Sequence, residues 1–311
     1  MFVQLFIISF LLFLLTRAQL FALLSFIALV LWFLKDIQAG VKDKGWVKEL
    51  VDNVKGLGHV VFVFGMLSLL LGSSVPISVV ASCSMKPSLE QGDLIIVKKF
   101  DNSSVPVFTL SPQQFDELLS ANLTPYFNGT PLNVSGSVYS HCLFHSNDGI
   151  CQRFFVNPLT FSDRLGLVVF HYSLCTRVFE DGRVMPVPCV VGVDVLNNSV
   201  NLTNERPVVV YAPKSSDYFS LIGDIIHRVQ FMVTDGRRTL LFTKGDNNEV
   251  FDVQLYDERV GKGNSPVLMK QVKGEVWFSV PVIGYVKLIA SGIWQRFYQC
   301  KYVVIGWQHV G

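Results

Sequence analysis

The feature that most constrains this chain is an uncharged run from Gly56 to Met85, bounded by Lys55 and Lys86. Within it, Val60 to Val80 alone supplies the ~20-residue uncharged length a membrane-crossing helix needs, since hydrocarbon leaves backbone N–H and C=O groups no partner outside the helix. A second run, Phe2 to Leu34, is interrupted only by Arg17. It splits into two apolar blocks of roughly fifteen residues, each short of a full span. Two readings stay open: a tight hairpin of short or tilted helices turning near Arg17, or one long span with Arg17 reaching toward the headgroups. No basic segment precedes the run, which argues against a cleaved leader. With 50% hydrophobic and 16% charged residues among 311, the composition fits a membrane protein better than a soluble one.

Between the two runs lie Lys35, Lys42, Lys44, Lys48 and Lys55, with Trp32 and Trp46 where interfacial rings belong. By the positive-inside rule this segment is cytoplasmic, so the next helix carries Ser84 to the opposite face. Six N-x-S/T sequons begin at Asn102, Asn122, Asn128, Asn133, Asn197 and Asn201, all beyond that helix. Such sites are glycosylated only on exported loops, in keeping with an extracytoplasmic location. The net charge of +2 is spread along the chain and offers no nucleic-acid surface. The cysteines form no CxxC pair and no zinc-type Cys/His spacing, so no metal site is expected. Cys142 with Cys151, and Cys175 with Cys189, are close enough in sequence to form disulfides in an exported region; free thiols are the alternative for each pair.

From Ser84 onward the pattern turns to short β-type runs: Leu94–Val97, Leu167–Phe170, Val208–Tyr211, Ile225–Val229, Thr239–Thr243, Val276–Val280 and Val282–Val286. Their Val, Ile, Phe and Tyr content, with Gly, Pro, Asn or Asp between them, predicts a mostly β domain. The expected organisation is a hydrophobic membrane segment (1–34), a cytoplasmic basic segment (35–57) and a transmembrane helix (58–81). A β-rich catalytic domain follows, made of 82–100 and 206–295, with an extracytoplasmic insertion (101–205) and a C-terminal tail (296–311). The apolar stretch Val282–Trp294 is open between a membrane-surface segment and a core β-hairpin.

Three boxes carry chemistry. Ser82-Cys83-Ser84-Met85-Lys86-Pro87, followed by Gly92-Asp93-Leu94, resembles the S-x-S-M-x-P box of type I signal peptidases and its following strand. Ile225-Ile226-His227-Arg228-Val229 resembles the family's histidine strand, and Thr243-Lys244-Gly245-Asp246-Asn247-Asn248 its T-K-G-D-N-N turn. The closing segments Lys273–Trp277 and Val280–Val286 are similar to those of archaeal and eukaryotic members. The resemblance covers about residues 60 to 100 and 205 to 290, and implies a signal-peptidase-like catalytic domain with N-terminal transmembrane helices and an inserted subdomain.

The resemblance further implies Ser84 as nucleophile, activated by His227 as general base and later acid, in the Ser/His/Asp form rather than the Ser/Lys form. An aspartate would orient the imidazole. Asp252 is favoured for this and Asp246 for fixing the turn, with the assignment open. The Ser84 N–H and the Ser82 hydroxyl would hold the oxyanion. Cys83 stands where the family commonly has glycine; its thiol is the rival nucleophile. His59 falls in or at the edge of the membrane helix. His141, His145, His171 and His309 lack diagnostic spacings and read as surface or packing residues.

The implied activity is a serine endopeptidase that removes leader peptides at the outer face of a cell membrane, or of the endoplasmic reticulum membrane if the source is eukaryotic. No cofactor is expected. The implied partners are signal peptides of secretory precursors, the lipid bilayer and the translocation channel, without nucleic acid. Two other readings are an idle membrane-anchored surface glycoprotein of the same fold and a specialised protease for surface or pilin-like precursors. The long N-terminal block and large insertion favour an archaeal source.

Overall fold

The computed structural model describes residues 4–5, 7–9, 19–179, 181–290 and 302–305. The chain divides into two compact units. The first takes in the described residues of 1–81, 91–98 and 277–298; the second, those of 82–90, 99–276 and 299–311.

In the first unit, helices α1 (Gln19–Lys44) and α2 (Trp46–Leu71) are separated by Gly45. Among the described residues, α2 is long and apolar enough to cross a membrane. Its bounds correct the expected span of 58–81. The helix starts earlier, because the Lys- and Glu-bearing stretch after Gly45 is as competent to be helical as the apolar one. It stops at Gly72, whose left-handed φ of 60° lets its N–H return to Leu69. Pro76 then forbids further helix, and Ile77–Val79 is strand β1. β1 pairs antiparallel with β2 (Leu94–Lys98), Ser78 opposite Ile95. The basic segment is likewise divided between the end of α1 and the start of α2. The turn expected near Arg17 lies outside the described residues.

The second unit is built on two sheets. β3 (Val107–Thr109) and helix α3 (Pro112–Ser120) lead into β4 (Thr124–Phe127) and β5 (Thr130–Pro131). α3 begins with a reciprocal capping box between Ser111 and Gln114. Helices α4 (Val138–Phe144) and α5 (Gly149–Val156) follow, joined by the Cys142–Cys151 disulfide. β6 (Phe161–Leu165), β7 (Val168–Phe179), β8 (Val184–Val195) and β9 (Asn198–Val200) complete one sheet, ordered β5-β4-β6-β7-β8-β9. Cys175 and Cys189 are bonded across β7 and β8. Along β7, Val168, Phe170 and Tyr172 are buried while His171 is exposed, the period of two that marks a sheet with one wet face.

The other sheet contains β10 (Val208–Tyr211), β11 (Ile225–Thr234) and β12 (Thr239–Lys244). β13 (Tyr256–Asp257) and β14 (Lys262–Gly263) form a small separate hairpin, while β15 (Val267–Leu268) pairs with β12. β16 (Val272–Val280) pairs with β10 through Glu275 opposite Val209, and β3 runs parallel to the second half of β11.

Residues 101–205 share one core with the second sheet. Phe115, Phe154, Phe161 and Phe170 cluster with Phe231, Phe242 and Phe251. Phe231 stacks on Phe242 at 4.4 Å, and Phe170 meets Phe251 at 5.2 Å. All six sequon asparagines are exposed.

Two further expectations change. Val282–Val286 forms no strand: a turn leads into helix α6 (Tyr285–Ala290), Pro281 and Gly284 interrupting any extended run. The expected tail contains β17 (Tyr302–Ile305), a continuous β-branched and aromatic run that pairs with Thr176–Phe179 of β7.

Where the two sheets share their core, Asp163 is fully buried. It accepts hydrogen bonds from the Val138 N–H at 3.1 Å, Tyr172 hydroxyl at 2.5 Å and Gln254 amide at 2.7 Å. Burial raises its pKa to about 6 against the opposing effect of those donors. The folded state therefore holds this proton more tightly than the unfolded one. Its contribution to stability is present below the ordinary carboxylate range and lost as pH rises through about 6. A shift of this size corresponds to about 3 kcal/mol. Denaturant titration of the solubilised chain between pH 4 and 6.5 should show wild type losing stability relative to Asp163→Asn as pH rises. Parallel profiles would contradict this assignment.

Candidate active site

β11 sets the site because its side chains alternate between two faces. His227 lies opposite Val209 of β10, and Arg228 opposite Lys244 of β12. The two neighbours therefore point to opposite sides of the sheet. Farther along, the β11–β12 register shifts between Val229 and Phe231. This irregularity returns Met232 to the core group containing Ile225 and Val229, while Phe231 joins the core shared with residues 101–205.

On one face, His227 is 3% exposed and joins two groups. Its Nε2 is 2.9 Å from Ser84 Oγ, and its Nδ1 is 2.8 Å from each oxygen of Asp252. Asp252 Oδ2 also accepts from the Tyr211 hydroxyl at 2.8 Å and the Thr243 hydroxyl at 2.6 Å. Tyr211 is paired with Ile225, and Thr243 with Val229, so the antiparallel register brings both to the His227 face. The Phe219 ring meets the imidazole edge-to-face at 5.8 Å. These contacts fix the ring while its Nε2 faces the half-buried Ser84.

On the other face, Arg228 makes a two-pronged pair with Asp246, with Nε–Oδ1 at 2.8 Å and Nη2–Oδ2 at 2.6 Å. It also donates to the Arg206 carbonyl and the Ser88 hydroxyl. Asp246 thus meets the guanidinium and Asp252 the imidazole. Lys244, fully buried, donates to the carbonyls of Gly245 and Asn248. Burial pushes its pKa down to about 8 despite the nearby Asp246, Glu249 and Asp252 carboxylates.

The turn after β12 grips the serine segment. Asn247 N–H donates to the Ser84 carbonyl at 2.7 Å, and its amide donates to the Cys83 carbonyl at 3.1 Å. Gly245 is required by close approach, because a Cβ there would lie 2.6 Å from the Ser84 carbonyl oxygen. Asn247 also joins β17: its amide donates to the Tyr302 carbonyl and its oxygen accepts from the Val304 N–H. Ser82 Oγ is 3.0 Å from Ser84 Oγ. Cys83 is disulfide-bonded and lies outside the positive-φ region, which removes its thiol as rival nucleophile and any left-handed strain from replacing glycine.

Tyr211, Thr243 and Gln254 have no catalytic signature of their own in the sequence. For Tyr211 and Thr243 the available signal was period-two placement on strands flanking His227. Gln254 closes the short helical turn Asp252–Gln254 and joins the Asp163–Tyr172 network. The other histidines do have partners. His171 is 2.7 Å from Asp194, both His141 and His145 contact Glu258, and His59 contacts the Lys55 carbonyl within α2. His309 lies outside the described residues.

The two aspartates should fail differently. Asp246→Ala leaves the Arg228 guanidinium buried without its carboxylate, and should cost about 3–5 kcal/mol in denaturant unfolding. A loss below about 1 kcal/mol, the range of an ordinary surface change, would contradict the structural role of that pair.

No protein-family model matches the chain. Similarity is found instead to fungal signal peptidase complex catalytic subunits. The chain is 33% identical over 94 residues to that of Chaetomium globosum, covering 30% of this chain and 49% of the relative. Identity to the Fusarium vanettenii subunit is 35% over 94 residues, with the same coverages. For Neurospora crassa it is 32% over 89 residues, 29% of this chain and 46% of the relative. The chain thus spans about half the length of the curated relatives it matches. Over that stretch it is similar to the catalytic subunits of these fungal signal peptidase complexes.

Proposed function

We propose that the protein is a membrane-bound serine endopeptidase that removes N-terminal leader peptides from exported precursors. The observation that carries this reading is the chain of hydrogen bonds Ser84–His227–Asp252, with 2.9 Å and 2.8 Å links. In the proposed reaction, His227 Nε2 takes the Ser84 proton as Oγ attacks the scissile carbonyl. Asp252 accepts from Nδ1–H, holding the tautomer and stabilising the imidazolium. The oxyanion is received by the Ser84 N–H and the Ser82 hydroxyl. His227 then protonates the departing amine, which begins the mature protein. The leader remains esterified to Ser84 until His227 activates a water that releases its carboxylate.

In this reading α2 is the anchor, and the residues after it are extracytoplasmic. A leader still inserted in the bilayer would meet the serine by encounter confined to the membrane surface. An extended segment adding its backbone to a strand edge would give register without demanding a particular sequence. The membrane would be the cell membrane in an archaeal source and the endoplasmic reticulum in a eukaryotic one. The translocation channel is the proposed neighbour. The lysines at the end of α1 and the start of α2, together with the exposed sequons, support this orientation.

Cleavage of a membrane-inserted precursor by the full chain tests the reading. Ser84→Ala and His227→Ala should abolish product while leaving the chain inserted and folded. Asp252→Asn should lower kcat by about 10⁴-fold, the scale expected when the wrong imidazole tautomer is held. Persistent cleavage by both the serine and histidine variants would refute it.

A further inference from the structure

We propose that His141, His145 and Glu258 form a zinc site that ties the α4–α5 pair to the segment following Asp252. Spacing within the chain gave no reason to expect a metal, because the third group is more than a hundred residues beyond the histidines. The fold brings them together. Each offers a ligand atom, and these atoms all lie within 4.8 Å of one another.

His141 and His145 are one helical turn apart, so their rings share a face and stack at 4.5 Å. Glu258 joins both: Oε1 is 3.3 Å from His141 Nδ1, and Oε2 is 2.7 Å from His145 Nε2. Ligands at zinc distances of about 2.0–2.1 Å in a tetrahedron are separated by roughly 3.3 Å. The observed spacings approach that geometry, and a small opening at His145 would admit the ion.

A carboxylate also stands behind one of the imidazoles. The remaining His141 nitrogen, Nε2, lies 3.5 Å from Asp148 Oδ2. A ligating histidine ordinarily donates its other N–H to a carboxylate, which fixes the tautomer that presents a lone pair to the metal. Asp148 is itself fixed by capping α5 through the Ile150 N–H. Glu258 and Asp148 together balance the charge of a divalent ion, and the mixed imidazole–carboxylate set suits zinc. His141 is 12% exposed, Glu258 26% and His145 48%, so the ion can enter from solvent and water can supply a fourth ligand.

The Cys142–Cys151 bridge links α4, which carries His141 and is capped by His145, to α5, which is capped by Asp148, organising the site before the metal arrives. Glu258 lies six residues after Asp252. Zinc would thus fasten the end of the loop that begins at the carboxylate beside His227. Its assigned role is structural, and its test is independent of peptide cleavage.

The full chain, solubilised and stripped with a chelator, should bind one equivalent of Zn²⁺ by titration and elemental analysis. Co²⁺ should give the absorption bands of a tetrahedral nitrogen–oxygen site. His145→Ala and Glu258→Gln should each weaken Zn²⁺ binding at least 10-fold, whereas His171→Ala should not. Circular dichroism in chelator establishes that the variants remain folded. The Co²⁺ spectrum of the unaltered chain supplies a test independent of substitutions. Absence of stoichiometric zinc, a non-tetrahedral cobalt spectrum, or unchanged affinity in His145→Ala and Glu258→Gln would overturn the proposal.

Discussion

The structure turns on the side-to-side alternation of His227 and Arg228 along one strand. Each residue is buried and polar, and each has a carboxylate on its own side of the sheet. The imidazole faces Asp252, with Tyr211 and Thr243 feeding hydrogen bonds into the same oxygen. The guanidinium faces Asp246 and reaches back to Ser88 in the serine segment. One face of β11 carries the contacts to Ser84 and Asp252, and the other holds the surrounding turns. A shift by one residue would exchange these environments, leaving an imidazole against Asp246 and a guanidinium against Asp252 and Ser84.

That strand acts only because distant segments are fastened around it. The turn through Gly245–Asn248 grips the backbone of Cys83 and Ser84 and, through Asn247, also grips β17. The turn carrying Asp252 is secured at Gln254, whose carbonyl accepts from the Ser137 and Ser140 hydroxyls and whose amide meets Asp163. Residues 101–205 therefore reach the site through both an apolar core and a buried polar network. Such a network is costly to leave half-satisfied, which ties the position of Asp252 to the packing of the second sheet.

The parts legible in sequence are those with a local chemical signature. Ser84, His227 and the Asp246–Asn248 turn stand in recognisable boxes, and Val208–Tyr211 reads as a strand from its β-branched run. The choice between Asp246 and Asp252 depends on which face of a turn meets which face of a strand, information absent from spacing alone. Helix α2 extends beyond the apolar stretch because helical backbone bonding does not stop where hydrophobicity does; it ends where Gly72 and Pro76 change the backbone. Tyr302–Ile305 is a short run that becomes a strand only by pairing with a segment over a hundred residues away. The His141–His145–Glu258 convergence has the same non-local origin.

The most direct test of the central claim is to trap the intermediate. A single turnover of membrane-inserted precursor by the full chain would be quenched in acid and the adduct mapped by mass spectrometry. The leader fragment should be found joined through an ester to Ser84, with no corresponding ester in His227→Ala. An acyl group on another residue, or turnover through water without any acyl-protein, would contradict it.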